Sequence, residues 1–529
     1  MGREAAYDAI VIGGGHNGLT TAAYLARAGR NVLVLERRHL VGGSTVTEEI
    51  FPGFKFSVLS YVVSLLRPEI IRELELPRHG LEILPLESTF TPLPNGDQLT
   101  RWADHDQTRR EIYRHSPLDA DAYDRFGQLM YRMALAVKPI LSMVPPDPTS
   151  LSRKDLRGLL SVGKHFRDLG EADFFMLYKL MTMSSADFLD EWFETDPLKA
   201  TMSASGIIGT FLGPRSPGTA YVQLHHYMGE IDGAFRAWGF ARGGTGAVAD
   251  SIASAARELG VTIRNDTAVE QVIVRGGRAV GVALEGGEEV RAPTVVSGLD
   301  PRRTFLHLVD EGDLPPDFVQ SIRRYRSVGS SGKVNLALGE LPNFTSLPGD
   351  GDHLRGAISI SPSQDYLERA YDDAKYGEFS RHPYMDVIIP SLIDPGMAPP
   401  GKHVMSCFVQ YAPYKLNGGW NDERREAFGD AVIDTLSEYA PNLKSAIIHR
   451  QVLTPQDMED EFGLTGGNIF HGELSLQQLF FLRPAPRWAD YRTPVRGFYL
   501  CGSGTHPGGG ICGGPGRLAA LEILKGGAR

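Results

Sequence analysis

Apolar residues open the chain as a short unbroken run, Ala9-Ile10-Val11-Ile12, which fits a strand buried on both faces of a parallel sheet. Gly13-Gly14-Gly15-His16-Asn17-Gly18 follows. From Asn17 to Ala28 the pattern turns helical, with Leu19, Ala22, Ala23 and Ala26 on one side and Gly29 as a C-terminal stop. Val32 to Leu35 predicts a second buried strand. Residues 56–66 mix β-branched, aromatic and small side chains and read as irregular connections. Residues 81–94, broken by Pro85, Pro92 and Pro94 and turning at Asn95-Gly96, predict short strands of a second layer.

From about Asp104 to Pro197 the periodicity is mainly helical. Phe126, Leu129, Met130, Met133, Val137, Ile140 and Leu141 make one apolar face, ended by Pro145-Pro146, and Leu156, Leu159, Leu160 and Phe166 make another. Ala220 to Tyr227 predicts a strand, which would send His225 and His226 to opposite faces. Helix is expected again from Ala247 to Leu259, and strands at 261–263, 268–275, 278–284 and 294–297. Beyond Pro301, runs at 334–338, 357–360, 385–389 and 403–411 predict a mixed sheet, and 423–439 a long helix. The chain closes with a strand at 497–501, a glycine-rich loop at 502–510 and a helix at 515–524.

Length alone, 529 residues, is consistent with two to four domains. Glycine, at 60 residues, exceeds its usual share of about 7%, and the excess sits in identifiable loops. A net charge of −10 argues against nucleic acid, whose binding needs a basic stripe. Cys407, Cys501 and Cys512 cannot build a disulfide framework and suit a reducing compartment. The first strand begins by Tyr7, which leaves no room ahead of it for a leader peptide and gives a cytoplasmic expectation. Basic residues change the picture in one region. Arg132 and Lys138 flank the first apolar helical face, and Arg153, Lys154, Arg157, Lys164 and Arg167 surround the second. Two readings are open for these helices: a surface lying peripherally on lipid headgroups, or core packing with solvated outer faces.

The chemistry begins in the first turn. Gly13, Gly15 and Gly18 form G-x-G-x-x-G, for the tight turn, for close approach of backbone to a pyrophosphate, and for helix–strand packing. The helix behind it offers unpaired N–H groups and the positive end of its dipole. Glu36 ends the second strand eighteen residues after Gly18, near the spacing of a carboxylate that takes ribose hydroxyls. Arg37 and Arg38 would favour a 2′-phosphate, but Glu36 beside them would repel it. Gly42-Gly43 and Ser44 bring a second stretch of backbone close. The E-R-R-x-x-x-G-G string at 36–43 resembles the FAD-dependent amine oxidases and phytoene desaturases, and FAD is the dinucleotide expected.

Gly466-Gly467-Asn468-Ile469-Phe470-His471, Arg483-Pro484 and Leu500-Cys501-Gly502-Ser503-Gly504-Thr505-His506-Pro507-Gly508-Gly509-Gly510 extend that resemblance to the phytoene desaturase, or carotenoid oxidoreductase, superfamily along nearly the whole chain. The resemblance implies an α/β fold: a Rossmann-like FAD-binding domain of the amine-oxidase type, at 1–95, 240–300 and 485–529, with an inserted α+β substrate domain at 96–239 and 301–484 whose helical part is a lid or faces a membrane. It implies noncovalent FAD, with the backbone at Val269 beside the adenine and Gly502, Ser503 and Gly510 along the ribityl chain and pyrimidine edge. Many flavoproteins carry an acid where Ser503 stands, so contacts there rely on backbone and a hydroxyl. The implied activity is hydride or electron transfer between the flavin and an apolar, polyene or lipid-like substrate, without a side-chain nucleophile and without a metal. Alternatives are a carotenoid ketolase or isomerase, and a FAD-bound scaffold docking on a respiratory-chain or membrane partner. His226 and His471 are the pocket candidates. The location implied is cytoplasmic or peripheral on an inner membrane, mitochondrial in an animal member. Oligomeric state is not legible.

Overall fold

The computed structural model describes residues 7–231, 233–235 and 238–526. One sheet has five parallel strands in the order Thr262–Arg264, Val32–Leu35, Ala9–Ile12, Thr294–Ser297, Phe498–Leu500. Ala9–Ile12 and Val32–Leu35 are buried throughout, as their unbroken apolar runs require. Strand order reverses at Ala9–Ile12, so a crevice opens at its C-terminal end, where the glycine turn lies. The His16–Arg27 helix leaves this crevice, and the last helix, Gly514–Leu524, crosses it closely. Glycine permits both approaches. A Cβ on Gly18 would stand 2.2 Å from the Gly13 carbonyl oxygen, and one on Gly516 would stand 2.2 Å from that of Asn17. Thr21 Oγ1 donates to the Gly516 carbonyl at 2.9 Å and fixes the crossing.

The second sheet has seven strands in the order Ile447–Leu453, Ser331–Leu338, His403–Gln410, Tyr384–Ile388, Ala357–Ile360, Ser88–Pro92, Gln98–Trp102. It is antiparallel except where Ala357–Ile360 meets Ser88–Pro92, which makes it the mixed sheet expected. Ser88–Pro92 lies before the domain boundary expected at 95/96, yet it hydrogen-bonds within this second sheet. The period of two divides the sheet's faces. Val334, Leu336, Met405, Cys407 and Val409 pack against Phe428, Val432 and Leu436 of the Asp422–Tyr439 helix. Their neighbours Lys333 and Phe408 turn to the other face.

The two amphipathic helices of the helical region are covered to different extents. Pro117–Leu141, capped by Ser116 accepting from the Asp119 N–H, buries Phe126, Leu129, Met130, Met133, Val137 and Leu141 in a core. Arg153–Asp168 buries no residue. The strand expected at 220–227 is a helix, Thr219–Tyr227, entered through Gly218 at φ +86°. Eight of its nine residues are buried, so the polar stripe that marks a surface helix is missing and its β-branched and aromatic content misleads. His225 and His226 therefore stand about 100° apart on a helix instead of on opposite faces of a strand, with ring centroids 5.6 Å apart. Among the described residues no helix is long and apolar enough to cross a membrane, and no cluster of His, Cys, Asp and Glu could hold a metal ion.

Replacing Gly516 by Val should force the two crossing helices apart. We expect a stability loss of about 1–3 kcal/mol, read as a lowered thermal midpoint, together with reduced cofactor content in the purified protein.

Candidate functional site

A cavity of about 420 Å³ runs from the crevice of the parallel sheet to the face of the second sheet. Of the residues singled out above, Gly13, Gly15, Gly18, Glu36, Arg37, Gly42, Gly43, Ser44, Val269, Ser503 and Gly510 line it, as do both His226 and His471. Gly502 does not. It packs on the sheet, where a Cβ would stand 2.4 Å from the Gly298 carbonyl oxygen.

The two glycine turns are joined backbone to backbone: the Gly42 N–H donates to the Gly14 carbonyl at 2.9 Å. Gly13, Gly42 and Gly43 adopt φ values of +93°, +128° and +60°, which side-chain-bearing residues rarely reach. Gly15 is different. Its missing Cβ would have nothing nearer than the Gly42 carbonyl at 4.0 Å, so the space it leaves is cavity. The His16–Arg27 helix starts there without a side-chain cap and without an acid in its first turn. Its N-terminal N–H groups and dipole are left for an anion. Gly514–Leu524 also starts without cap or acid. Asn17 Nδ2 donates to Ser503 Oγ at 3.0 Å and ties the first glycine turn to the C-terminal loop. Glu36 is held by two backbone N–H groups, Gly14 at 2.8 Å and Arg38 at 2.9 Å, one to each oxygen. This fixes the carboxylate at the cavity wall with lone pairs to spare.

Several polar atoms here are buried with no partner among the described residues: His16 Nε2, Asn17 Oδ1, Arg303 Nε and His471 Nδ1, all on lining residues. Unmet buried groups of this kind carry a free-energy cost that a bound polar group removes. Burial holds His16 down to about 4, helped by His471, and lowers His471 as well. Both rings are therefore neutral near pH 7. Donors, helix N-termini and an open glycine at one end, with the Glu36 carboxylate in reach, fit a dinucleotide.

His226 is a wall residue. Its Nδ1 bonds the Val222 carbonyl at 3.0 Å, and its ring lies near-parallel to Trp238 and Phe470, with centroids 6.5 and 6.1 Å away. Two further features were not legible as site residues. Arg483, fully buried, donates to the carbonyls of Phe470, Gly472, Glu473, Gln478, Ser503 and Thr505 at 2.7–3.4 Å. It fixes the 470–478 segment against the 503–505 loop, and so places His471 and Ser503. Lys333 is the second. It stands opposite Phe408, which stands opposite Asp386, so the three occupy one row across three strands. Tyr61 lies over the row. Its ring stacks on Phe408 at 5.4 Å, its hydroxyl donates to Asp386 Oδ2 at 2.7 Å, and Lys333 Nζ stands 4.9 Å from its centroid. Lys333 Nζ is buried and has no hydrogen-bond partner among the described residues; burial lowers its pKa to about 7. A lysine inside the apolar strand Ser331–Leu338 was the signal available in the sequence.

The chain matches, over residues 18–514, the family described as flavin containing amine oxidoreductase, and it belongs to that family. It is an FAD-dependent oxidoreductase, with FAD as the dinucleotide that the cradle accommodates. Among curated proteins it is 44% identical to pyridine nucleotide-disulfide oxidoreductase domain-containing protein 2 of Rattus norvegicus, over 98% of this chain and 93% of the relative. It is 28% identical to a limonene dehydrogenase subunit from Castellaniella defragrans, over 98% and 94%. Phytoene desaturase (neurosporene-forming) of Rhodobacter capsulatus is a more distant homologue, at 26% over 97% and 93%. Putrescine oxidase bound to putrescine shares the fold, with a TM-score of 0.62 at 17% identity over 98% of this chain and 99% of that one. The cysteines do not suit disulfide chemistry. Cys407, Cys501 and Cys512 are free and buried, and burial pushes the Cys407 and Cys501 thiols up to about 12.

Gly15→Val would place a branched side chain in the space that the glycine leaves to the cavity. The variant is expected to purify folded but without flavin, measured as flavin absorbance per protein. Full flavin content would contradict the placement of the dinucleotide.

Proposed function

We propose that this oxidoreductase dehydrogenates an apolar, hydrocarbon-rich substrate. One observation carries the reading. Beyond the dinucleotide cradle, the cavity is walled by Tyr61, Ile208, Trp238, Phe408, Ile469 and Phe470, and its two acidic lining residues among those described, Glu36 and Glu285, stand at the other end, near Arg37 and Val269. Among the lining residues there a substrate ammonium would find no carboxylate, only the Lys333 amine, since Asp386 does not line the cavity and takes the Tyr61 hydroxyl. An apolar substrate needs none, because burial contributes about 25 cal/mol per Å² of its surface. The names of two relatives, the limonene dehydrogenase and the phytoene desaturase, support a hydrocarbon over an amine.

Bound FAD would supply the acceptor for a hydride. Asn17, Glu36, the two glycine turns and the Ser503–Gly510 loop would hold it. The chain's own residues then have two tasks. The aromatic wall excludes water from the carbon centre. Lys333 Nζ takes the proton that a carbon centre releases as a neighbouring C–H bond gives up its hydride and a double bond forms. Tyr61 and Asp386 hold that amine's surroundings: Tyr61 keeps its ring under Nζ because its hydroxyl is pinned to Asp386. A lysine lowered to about 7 is neutral, and so able to accept a proton, above that pH.

Anaerobic mixing of the FAD-loaded protein with a monoterpene or a long polyene in detergent should bleach the flavin, whereas NADPH and simple primary amines should not. Bleaching by amines or NADPH with no response to any hydrocarbon overturns the reading.

Lys333→Met should keep its flavin yet lose about 10²–10⁴-fold in reduction rate. In the parent protein the rate should rise through about pH 7 and then level, as Lys333 loses its proton. The pH dependence should flatten in the variant.

A further inference from the structure

Of the fourteen large apolar side chains exposed among the described residues, ten fall between residues 113 and 178. The densest group is on Arg153–Asp168 and Glu171–Thr182. Leu160 is 73% exposed, Tyr178 62% and Phe175 59%, with Leu156 and Phe174 beside them. Arg153–Asp168 is the unusual element, a sixteen-residue helix without one buried residue.

The helix nevertheless has a seated side and an outward side. Gly158 lies so close to Pro146 that a Cβ would stand 2.8 Å from the proline Cβ. His165 Nε2 bonds the Ala136 carbonyl of Pro117–Leu141 at 2.7 Å, and Lys154 pairs with Glu522 at 2.5 Å. These three contacts mark one side. At about 100° per residue, Leu156, Leu160, Arg153 and Arg167 project from the opposite side, and Lys164 and Arg157 stand on its flank. Arg153, Arg157 and Lys164 have no acidic partner among the described residues. The helix carries five basic and two acidic side chains in a protein of net charge −10. Phe166 and Phe174 meet edge to face at 5.9 Å and join its surface to the exposed aromatics of the next helix.

We propose that this two-helix face docks the protein on an anionic lipid bilayer, with Arg153–Asp168 lying in the headgroup plane. Apolar side chains flanked by arginine and lysine on the outward part of a helix are what an interface between headgroups and acyl chains selects. Each basic side chain is attracted to an anionic leaflet within a Debye length. A second copy of the chain is the poorer occupant. A two-fold contact through this face would set its cations against their own images. The docking gives the apolar-substrate reading, on which its purpose rests, a route for a compound scarce in water. The route has a physical trace: a small cavity lined by Lys138 and Leu141 of Pro117–Leu141, the helix on which the docking helix is seated, shares Ser64 and Leu65 with the main cavity.

The test is co-sedimentation of the full-length FAD-loaded protein with vesicles of phosphatidylcholine, with and without phosphatidylglycerol, across a salt series. Binding is expected to the anionic vesicles and to weaken as salt rises. Leu156→Ser/Leu160→Ser/Phe175→Ser, and separately Arg153→Glu/Arg157→Glu, should each lower partitioning about tenfold or more. Flavin content and thermal midpoint should be unchanged, because none of these side chains is buried. Failure of the parent protein to bind anionic vesicles at low salt, or parent-like binding by both variants, overturns the proposal. So does a dimer in gel filtration that the leucine variant dissolves, which would assign the face to a second copy. Flavin reduction by a detergent-solubilised hydrocarbon is measured on the same preparations. If that alone fails, the substrate reading falls and the docking stands.

Discussion

A guanidinium with none of its surface in water is a costly group, and among the described residues Arg483 has no carboxylate paired with it. Six backbone carbonyls take its five N–H groups, three pairs drawn from 470–472, 473–478 and 503–505. Those carbonyls belong to segments without helix or sheet ladders to satisfy them, so cation and loops depend on each other. Removing the charge would take away the donor that five of these carbonyls share, leaving only that of Glu473 with another, Gln478 Nε2 at 3.3 Å. The site depends on this one exchange, because the loops it fixes carry Phe470 and His471 on one side and Ser503 on the other. Burial lowers the pKa of His471 and His506, and this cation adds a smaller push in the same direction.

The cavity has two ends of opposite character, set by two sheets. The parallel sheet ends in glycine turns and helix N-termini, where backbone N–H groups collect and an anionic diphosphate belongs. The antiparallel sheet presents one of its faces, and its alternation decides what that face carries. Val334 and Cys407 go into the core behind, whereas Lys333 and Phe408 come forward. A lysine in such a row is desolvated by its neighbours and loses its charge near neutral pH, which makes it a base where a solvated lysine would be an acid. The thiols follow the same rule to the opposite result. Burial without a nearby cation in contact raises Cys501, and a thiol held protonated is a poor nucleophile.

Much of this was legible along the chain. The apolar run 9–12, the glycine turn, the following helix and Glu36 are local, so the dinucleotide cradle could be read from spacing alone. Four inner strands of the second sheet and the helix from 423 were also legible, as short apolar runs between turns and a long amphipathic stretch, whereas the edge strands Gln98–Trp102 and Ile447–Leu453, half solvated and rich in polar residues, were not. Thr219–Tyr227 was misread for the opposite reason: a helix buried on all sides shows no polar stripe, and its aromatic and β-branched residues imitate a strand.

The sequence by itself determined the elements around the first glycine turn, that this turn accepts a dinucleotide, and that a basic amphipathic segment follows Pro146. Only the tertiary structure decided how far each amphipathic helix is covered: Pro117–Leu141, the longer and more apolar, is packed into a core, whereas Arg153–Asp168, with five basic side chains, buries no residue. It also decided which side chains line the end of the cavity away from the glycine turns. Lys333, Phe408 and Asp386 meet through strand register, and Tyr61 reaches them from a distant loop, neither of which local spacing encodes.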